Sequence, residues 1–205
     1  MTFRSEYKIR LNHFTAQNLK LKLKNYGMKE LYPSRKISSL YFDNNLFQSF
    51  HQSEEGVTPR KKIRIRSYPK TNNINIDMDN FYNLEFKFST VEGRFKKSTT
   101  ILKTLYDNYF TRGITDNIYG ICFPKVNIQY ERSYFTLDKL RITHDKNIIF
   151  SNLSNSIFRR ESEEVFEVKT SMNISNDQIL KIFHVNNSRF SKYEKAVKKI
   201  FRNNT

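Results

Sequence analysis

The nine residues Arg60–Tyr68 read RKKIRIRSY and alternate basic side chains with aliphatic ones. Successive side chains of a β-strand point to opposite faces, so Ile63 and Ile65 would share one face of a strand. The other face would carry Lys62, Arg64, Arg66 and Tyr68. The stretch therefore predicts a strand with one packed face and one charged face. The charged face would meet either solvent, at the edge of a sheet, or an anionic partner.

The composition is that of a folded, basic protein. Of the 205 residues 38% are hydrophobic, including 18 Phe and 12 Tyr, which argues against a disordered chain. The length fits one domain and no linker or repeat divides the sequence, so residues 1–205 are expected to form a single domain. The formal net charge of +16 is spread along the chain. This charge indicates an anionic partner, such as nucleic acid, phospholipid or a phosphorylated small molecule.

The cysteine count and the hydropathy pattern exclude several other classes. The single cysteine, Cys122, rules out an internal disulfide and is expected to pack as a small hydrophobe. The amino terminus lacks the apolar core of a secretory signal, and no segment has the roughly 20 apolar residues of a membrane helix. We therefore expect a cytoplasmic protein.

The alternation seen in the opening stretch recurs along the chain. Four further segments set charged side chains against apolar ones: 3–11, 83–88, 139–145 and 163–169. Glu164 and Val165 break the last of these patterns. Segments 36–43 and 126–135 also read as strands. In the second of them Arg132 falls on the apolar side of the alternation, which predicts a bulge or a mixed face.

Helices are predicted between the strands. Thr15 can cap a helix that ends near Gly27, and Ser98 can open a helix that runs to about Phe110. Segment 111–120 is predicted to be a loop.

Two more helices are predicted at the end of the chain. Ser175 with Gln178, and Ser191 with Glu194, have the spacing of a capping box, in which two side chains satisfy backbone groups of the first turn. Segment 70–80 is predicted to be a loop.

So many strands with one charged face cannot all lie at sheet edges. If the sheet closes into an antiparallel barrel, the apolar faces can pack outward against helices while the charged faces line a basic lumen. We therefore predict an α+β fold with helices outside the barrel and at its C-terminus. Basic groups two residues apart on a strand lie about 7 Å from each other and repel by roughly 2 kcal/mol, so a bound polyanion would relieve strain.

The motifs of several common sites are absent from the sequence. There is no GxxxxGK[ST] phosphate loop, and the five glycines form no GxGxxG. His13, His51, His144 and His184 lack metal-ligand spacing, so each is expected to be a surface or packing residue. A metal held by carboxylates alone would be a hard cation such as Mg²⁺ or Mn²⁺.

Eight short motifs follow one another along nearly the whole chain: Arg4-x-Glu6-x-Lys8, Ser39-Leu40-Tyr41-Phe42-Asp43, Arg64-Ile65-Arg66-x-Tyr68, Leu84-Glu85-x-Lys87, Tyr130-x-Arg132, Arg141-Ile142-Thr143-x-Asp145, Glu167-Val168-Lys169 and Ser191-Lys192-Tyr193. Together they resemble the triphosphate tunnel metalloenzymes of the CYTH-like superfamily. Within these they are similar to the polyphosphate polymerase domain of the vacuolar transporter chaperone (VTC) type. The resemblance implies an antiparallel barrel that binds a triphosphate with a divalent metal.

The resemblance also implies roles for the residues at the matching positions. Six basic residues would act on the reacting phosphates: Arg64, Arg66, Lys87, Arg132, Arg141 and Lys169. Six further residues would contact the substrate: Lys8, Lys97 (or Lys96), Lys192, Tyr41, Tyr130 and Tyr193. Arginine suits bidentate contacts with phosphate, whereas lysine supplies a point charge. Glu167 would carry Mn²⁺ or Mg²⁺, with Glu6 and Glu85 as helpers.

The activity implied is a polyphosphate polymerase that transfers the γ-phosphate of ATP to a growing chain. Its partners would be ATP and inorganic polyphosphate or pyrophosphate. The hydrolytic branch of the superfamily has a first-strand motif similar to ExExK, and Arg4 replaces the first acid here. Because that change weakens a second metal site, and with it activation of water, it favours the polymerase branch.

Three alternatives remain open at the level of sequence. The chain could be a hydrolase of tripolyphosphate or nucleoside triphosphates, a nucleic-acid-binding module, or an inactive polyphosphate sensor or scaffold for a membrane-protein partner. Glu6, Glu85 and Glu167 lie within the charged rows, which argues against nucleic acid because a surface that binds it needs no acidic residues.

Overall fold

The computed structural model describes residues 5–69, 81–170 and 176–202. Arg4, Ser175 and segment 70–80 lie outside the described residues. The helices are α1 (His13–Asn25), α2 (Gln48–Glu55), α3 (Lys103–Arg112), α4 (Asn176–Phe183) and α5 (Lys192–Val197), which a π-helical turn, Lys198–Arg202, follows. The strands are β1 (Ser5–Asn12), β2 (Lys29–Asp43), β3 (Arg60–Ser67), β4 (Phe81–Ser89), β5 (Arg94–Leu102), β6 (Ile114–Asp116), β7 (Gly120–Leu137), β8 (Leu140–Ser151), β9 (Phe158–Arg160) and β10 (Glu163–Thr170).

Backbone hydrogen bonds order the strands as β1-β10-β8-β7-β2-β3-β4-β5, with β6 beside β7 and β9 beside β8. The strand pairs whose register is known are antiparallel. These pairs confirm the predicted α+β class and its antiparallel sheet. Strands β1 and β5 end this order, so within the described residues backbone hydrogen bonds do not close the sheet.

The chain divides into two compact units. The first unit comprises Met1–Arg35, Tyr130–Ile148 and Arg160–Phe190. The second unit comprises Lys36–Gln129, Ile149–Arg159 and Ser191–Thr205. Strands β2, β7, β8 and β9 contribute residues to both units. A single domain over residues 1–205 therefore stays a prediction.

The apolar core of the first unit confirms the alternation predicted for the first strand. Side chains at alternate positions of β1 are buried in it together with one face of α1 and part of α4. Its members include Tyr7, Ile9, Leu11, Ala16, Leu19, Leu23, Ile142, Phe166, Ile179 and Phe183. The opposite face of β1, with Glu6, Lys8 and Arg10, stays partly exposed.

Helix α1 begins earlier than its predicted cap. The side chain of Asn12 accepts a hydrogen bond from the backbone N–H of Thr15 at 2.9 Å, so Asn12 is the N-cap and Thr15 lies in the first turn. The predicted cap Thr15 was therefore wrong, although serine, threonine and asparagine are all suited to capping. The helix ends at Asn25, near Gly27 as predicted.

Glu164 explains the break in the pattern of β10. It is buried among apolar residues, where His144 Nε2 lies 2.6 Å and His13 Nδ1 2.7 Å from its carboxylate oxygens. The His144 ring also stacks on Phe166 at a centroid distance of 4.2 Å. Two histidines thus satisfy a buried carboxylate on the apolar face, and the packing role predicted for His144 is confirmed.

The core of the second unit confirms the packed face of the opening stretch. Ile63 and Ile65 are 0% and 2% exposed and lie in a cluster that also contains Leu40, Phe42 and Leu84. Helix α3 covers this cluster, since the ring of its Tyr106 stacks on Tyr82 at 4.3 Å. Cys122 belongs to the same cluster and is fully buried, and burial raises the pKa of its thiol to about 12, so its predicted packing role is confirmed.

Two predictions for residues 94–120 were wrong. Ser98 does not open a helix but lies in β5 opposite Glu85, and α3 begins only at Lys103. Pairing along the whole length of β4 outweighs a local capping signal. The predicted loop 111–120 contains β6, which forms a hairpin with the start of β7.

Strand β7 carries the mixed face predicted from Arg132. Burial alternates regularly from Cys122 to Tyr130 and then changes phase, so that Ser133, Tyr134 and Phe135 are all buried. Among the described residues, no helix is long and apolar enough to cross a membrane.

Candidate functional site

Arg64 and Arg66 lie on the charged face of the second unit, where both contact the carboxylate of Glu85. Arg64 Nε and Nη2 lie 2.7 and 2.6 Å from Glu85 Oε2, and its Nη1 donates to the hydroxyl of Tyr41 at 2.8 Å. Arg66 Nη1 lies 3.9 Å from the same carboxylate oxygen, and its Nε donates to Ser39 Oγ at 3.3 Å. The guanidinium groups are therefore held in place on a strand, a geometry suited to binding phosphate oxygens.

Glu85 serves as the counterion of this arginine pair. Glu85 is 2% exposed, and Lys96 Nζ donates to its other carboxylate oxygen, Oε1, at 2.7 Å. Burial alone would raise the pKa of Glu85, but Arg64, Arg66 and Lys96 together lower it to about 2. A carboxylate that already serves three cations is a poor choice for a metal ligand. The metal-helper role of Glu85 stays a prediction that this geometry does not favour.

Three lysines lie abreast on the same face, one on each of three neighbouring strands. Lys62 of β3 is directly opposite Lys87 of β4, and Lys87 is directly opposite Lys96 of β5. Like charges in such positions repel each other. The sequence analysis placed Lys62 on the same face as Arg64 but gave it no role. The alternation of basic and aliphatic residues was the signal from which a role for Lys62 could have been predicted.

Lys97, which the sequence interpretation chose for substrate binding, lies on the other face of β5. It is opposite Phe86, and its Nζ lies 5.9 Å from the centre of the Phe88 ring. Lys96 is the neighbour that reaches the charged face. Lys96, and not Lys97, is therefore the lysine of β5 that lies among the phosphate-binding candidates, because strand register and not residue type decides between them.

The C-terminal helix packs on this charged face through two tyrosines. The rings of Tyr193 and Tyr41 stack at a centroid distance of 5.0 Å, and the Tyr193 hydroxyl donates to Asp43 Oδ2 at 2.6 Å. Lys192 is the first residue of this helix, and the Ser191 side chain caps it by accepting from Glu194 N, as predicted. Both tyrosines are buried, so packing and hydrogen bonding to the protein account for much of their role.

Asp43 ends the Ser39–Asp43 motif of the sequence analysis, which gave this residue no role of its own. It is fully buried and accepts hydrogen bonds from the backbone N–H groups of Ser49 and Phe50 at 3.0 and 2.9 Å, at the start of α2. The same carboxylate holds Tyr193. Its partners range from the adjacent Asn44, whose backbone N–H donates at 2.9 Å, to Tyr193, which lies 150 residues away in sequence.

Replacing Asp43 by asparagine should destabilise the protein. The amide keeps the shape but loses the negative charge and one acceptor, so three backbone N–H groups and a tyrosine hydroxyl compete for a single oxygen. We expect a loss of about 2–3 kcal/mol in the free energy of unfolding, measured by urea denaturation. Asp107→Asn removes an exposed ion pair with Lys103 and serves as the control, which should unfold as the wild type does. Wild-type stability of Asp43→Asn would contradict the assigned role.

The first unit has a charged face of its own on β1, β10 and β8. Glu6, Lys169 and Arg141 lie abreast on these strands, and the next row contains Lys8, Glu167 and Thr143. Arg141 is exposed, whereas Lys8 Nζ donates to the backbone oxygen of Phe190 at 2.8 Å. Acidic and basic groups alternate here, in contrast to the lysine row of the second unit.

Glu6 and Glu167 have the donor chemistry of a metal site. Lys169 Nζ lies 3.0 Å from Glu167 Oε1 and 4.0 Å from Glu6 Oε1, so both carboxylates point toward one cation. Their side chains are each 11% exposed. In the described parts of the chain no three His, Cys, Asp or Glu residues form a metal-binding group. The pair therefore fits Mg²⁺ or Mn²⁺ only if water or phosphate oxygens complete the coordination.

Arg132 is fixed next to this pair. Its Nε and Nη2 donate to the two oxygens of the fully buried Asp145 at 2.5 and 2.7 Å, and Nη2 lies 3.9 Å from Glu167. Burial works against its charge, but Asp145 and the ring hydroxyl of Tyr130 raise the pKa of Arg132 well above its usual value. The guanidinium stands 5.4 Å from the centre of the Tyr130 ring. Arg132 therefore stays charged and oriented at any physiological pH.

Comparison with solved structures confirms the fold. A candidate adenylate cyclase from Bacillus halodurans superposes with a TM-score of 0.62 at 13% identity, over 98% of each chain. The PH1012 protein from Pyrococcus horikoshii OT3 gives 0.59 at 10% identity, over 96% of this chain and 99% of that one. A candidate adenylyl cyclase from Hippeastrum with a dominant triphosphatase activity gives 0.58 at 14% identity, over 98% and 97%.

Sequence comparison gives the family. No curated protein matches the chain. The family model of the VTC domain matches residues 3–121 and 120–201, which together span almost all of the sequence. At the low identities above, the structural likeness concerns the fold alone, but the family match is direct. The chain belongs to the VTC domain family.

Proposed function

We propose that this protein is a polyphosphate polymerase that transfers the γ-phosphate of ATP to a growing polyphosphate chain. The observation that carries the proposal is the charged face of β3 and β4, where fixed arginines adjoin a row of lysines. Glu85 and Glu194 offset part of the repulsion within this row, and a bound polyanion would offset more of it. Phosphoryl transfer is catalysed mainly by positioning and by charge stabilisation, which such a face supplies.

The reaction needs no protein nucleophile. A terminal phosphate oxygen of the acceptor chain, already ionised at neutral pH, forms a bond to the γ-phosphorus. The bond from that phosphorus to the oxygen shared with the β-phosphate breaks, and ADP leaves with the electron pair. We assign stabilisation of the transferring phosphate to Arg64, Arg66, Lys87, Arg132, Arg141 and Lys169. We assign binding of the remaining phosphates to Lys8, Lys96 and Lys192, with Tyr41, Tyr130 and Tyr193 holding the arginines and the last helix.

A divalent cation, Mn²⁺ or Mg²⁺, fits the carboxylates of Glu167 and Glu6. When bound, it would neutralise negative charge that develops on phosphate oxygens. Lys169 Nζ contacts both carboxylates, at 3.0 Å from Glu167 and 4.0 Å from Glu6. Arg132, fixed by Asp145, would bind phosphate beside the ion.

A hydrolase of triphosphates is the second candidate. The Hippeastrum protein of similar fold has a dominant triphosphatase activity, and its identity to this chain is 14%. The two candidates differ in the acceptor, which is a phosphate chain in one and water in the other. Added pyrophosphate or short polyphosphate should therefore accelerate ADP release by a polymerase and compete with ATP in a hydrolase. The cytoplasmic location stays an expectation, and a membrane-protein partner remains an open question.

Tripolyphosphate should raise the melting temperature of the protein strongly. A ligand that binds only the folded state adds RT ln(1 + [L]/Kd) to stability, about 2.7 kcal/mol at 100 times Kd. For a chain of this size that corresponds to roughly 5–10 °C, measured by differential scanning calorimetry. Duplex DNA at the same phosphate concentration is the control and should give a much smaller rise. Equal stabilisation by duplex DNA would favour a nucleic-acid-binding module instead.

A further inference from the structure

Lys62 is a half-buried member of the lysine row to which the proposed function assigns no separate role. It shares that face of β3 with Arg64 and Arg66, and it is directly opposite Lys87. Neighbouring strands lie about 5 Å apart, so the backbones of Lys62, Lys87 and Lys96 lie within about 10 Å of one another and their side chains share one face. Phosphate oxygens bound by Lys87 would therefore lie within reach of Lys62.

The present partners of Lys62 come from the C-terminal helix. Its Nζ donates to Ser191 Oγ at 2.8 Å and lies 3.3 Å from Glu194 Oε1. The same Glu194 oxygen accepts a hydrogen bond from Ser53 Oγ. One oxygen of Glu194 therefore accepts from both Ser53 and Lys62, and its contact with Lys62 is the longer and weaker of the two. The side chains of Lys62 and Glu194 are only 19% and 15% exposed, so water screens this pair little.

We infer that Lys62 is a further phosphate-binding residue, an inference that rests on the proposed function. Glu194 holds Lys62 until an anionic substrate displaces the Glu194 carboxylate. A phosphate oxygen would then take the place of Glu194 at the ammonium group. Ser191 and Glu194 flank Lys192, so the exchange would couple occupation of the lysine row to the helix that carries another substrate contact.

The charge balance around Lys62 supports this role. Burial, with the repulsion of Lys87, outweighs the attraction of Glu194 and of the Tyr41 hydroxyl, so the pKa of Lys62 falls to about 8. Arg64, two residues along the same strand, adds positive charge at this face. A bound anion favours the charged amine, so its binding near pH 8.5 should draw a proton onto Lys62. A lysine with a purely structural role would show no such linkage.

The test compares the binding of metal-free tripolyphosphate by calorimetry in wild type, Lys62→Met, Lys62→Arg and Glu194→Gln. At pH 7, Lys62→Met should weaken binding about ten- to hundredfold, and Lys62→Arg should restore it. Glu194→Gln should strengthen binding about three- to tenfold, because it removes the competing anion. Melting temperatures confirm that each variant is folded.

The number of protons taken up when tripolyphosphate binds is the second measurement. Heats measured at pH 8.5 in buffers of different ionisation enthalpy should show more proton uptake in the wild type than in Lys62→Met or Lys62→Arg. The proton that tripolyphosphate itself can gain is common to all variants. Tyr41 has a pKa lowered to about 8 by Arg64 and Arg66 against the effect of burial, so the comparison is repeated in the Tyr41→Phe background.

The outcomes separate this inference from the proposed function. If Lys62→Met binds tripolyphosphate as the wild type does while Arg64→Ala binds it weakly, the role of Lys62 is wrong and the proposed function stands. If both variants bind as the wild type does, the proposed function fails as well. Failure of Lys62→Arg to restore binding, weaker binding by Glu194→Gln, or equal proton uptake in all variants would assign Lys62 a structural role and overturn the inference.

Discussion

Replacing Glu167 by glutamine should reduce phosphoryl transfer by about 10²- to 10³-fold while tripolyphosphate still stabilises the protein. The amide keeps the size of the side chain but removes the anionic oxygen that a hard cation prefers. A metal ion supplies several kcal/mol of charge stabilisation in such reactions, and each 1.36 kcal/mol is a factor of ten in rate. The measurements are ADP release at saturating ATP and Mn²⁺ affinity by electron paramagnetic resonance, and both should fall together.

Glu163→Gln is the matched control for this change. Glu163 lies on the same strand and pairs with Arg10, away from the Glu6–Glu167 pair. The control should retain the activity and the Mn²⁺ affinity of the wild type. Full metal-dependent activity in Glu167→Gln would show that the metal is held elsewhere.

Removal of the Arg64 side chain should weaken tripolyphosphate binding and turnover together. The loss should be about 10²-fold or more in turnover, because a fixed donor aimed at developing charge contributes that much. Arg64→Lys should fall between Arg64→Ala and the wild type, since an ammonium keeps the charge but cannot replace a planar fork that contacts both Glu85 and Tyr41. Calorimetry with tripolyphosphate and steady-state ADP release measure the two effects.

Arg112→Ala is the control for Arg64→Ala. Arg112 is exposed at the end of α3, so its removal tests whether loss of any positive charge weakens binding. It should bind tripolyphosphate as the wild type does. Equal binding by Arg64→Ala and the wild type would remove the charged face of β3 from the site.

The strands were the most predictable part of the fold because burial repeats every two residues in them. Ile63 and Ile65 are buried and Arg64 lies on the other face, as RKKIRIRSY predicts. The same rule succeeded for β1. It needs no knowledge of the partner strand, since any strand with one packed face obeys it.

Pairing across strands explains both the wrong helix start at Ser98 and the choice between two adjacent lysines. Ser98 has a suitable residue type for a helix cap, but its pairing with β4 keeps it in a strand. Lys96 and Lys97 are neighbours of the same type, and only the register of β5 against β4 shows which one contacts Glu85. Register is set by non-local pairing, which a single sequence does not display.

Long-range polar contacts were also beyond sequence reasoning. Asp43 and Tyr193 lie 150 residues apart and meet through one hydrogen bond. Glu164 breaks the alternation of β10, and only the structure shows that His13 and His144 satisfy its charge. In both cases a buried carboxylate is stable because the fold brings its donors to it.

The most direct measurement of the proposed function is the length of the products formed from ATP. The purified protein is incubated with ATP, Mn²⁺ and a short polyphosphate primer, and the phosphate chains are separated by gel electrophoresis while ADP and orthophosphate are quantified. A polymerase gives ADP in step with a ladder of chains longer than the primer and little orthophosphate at early times, and the ladder disappears in Glu167→Gln. Release of orthophosphate with no chain longer than the primer would contradict the polymerase and leave the hydrolase as the function of this family member.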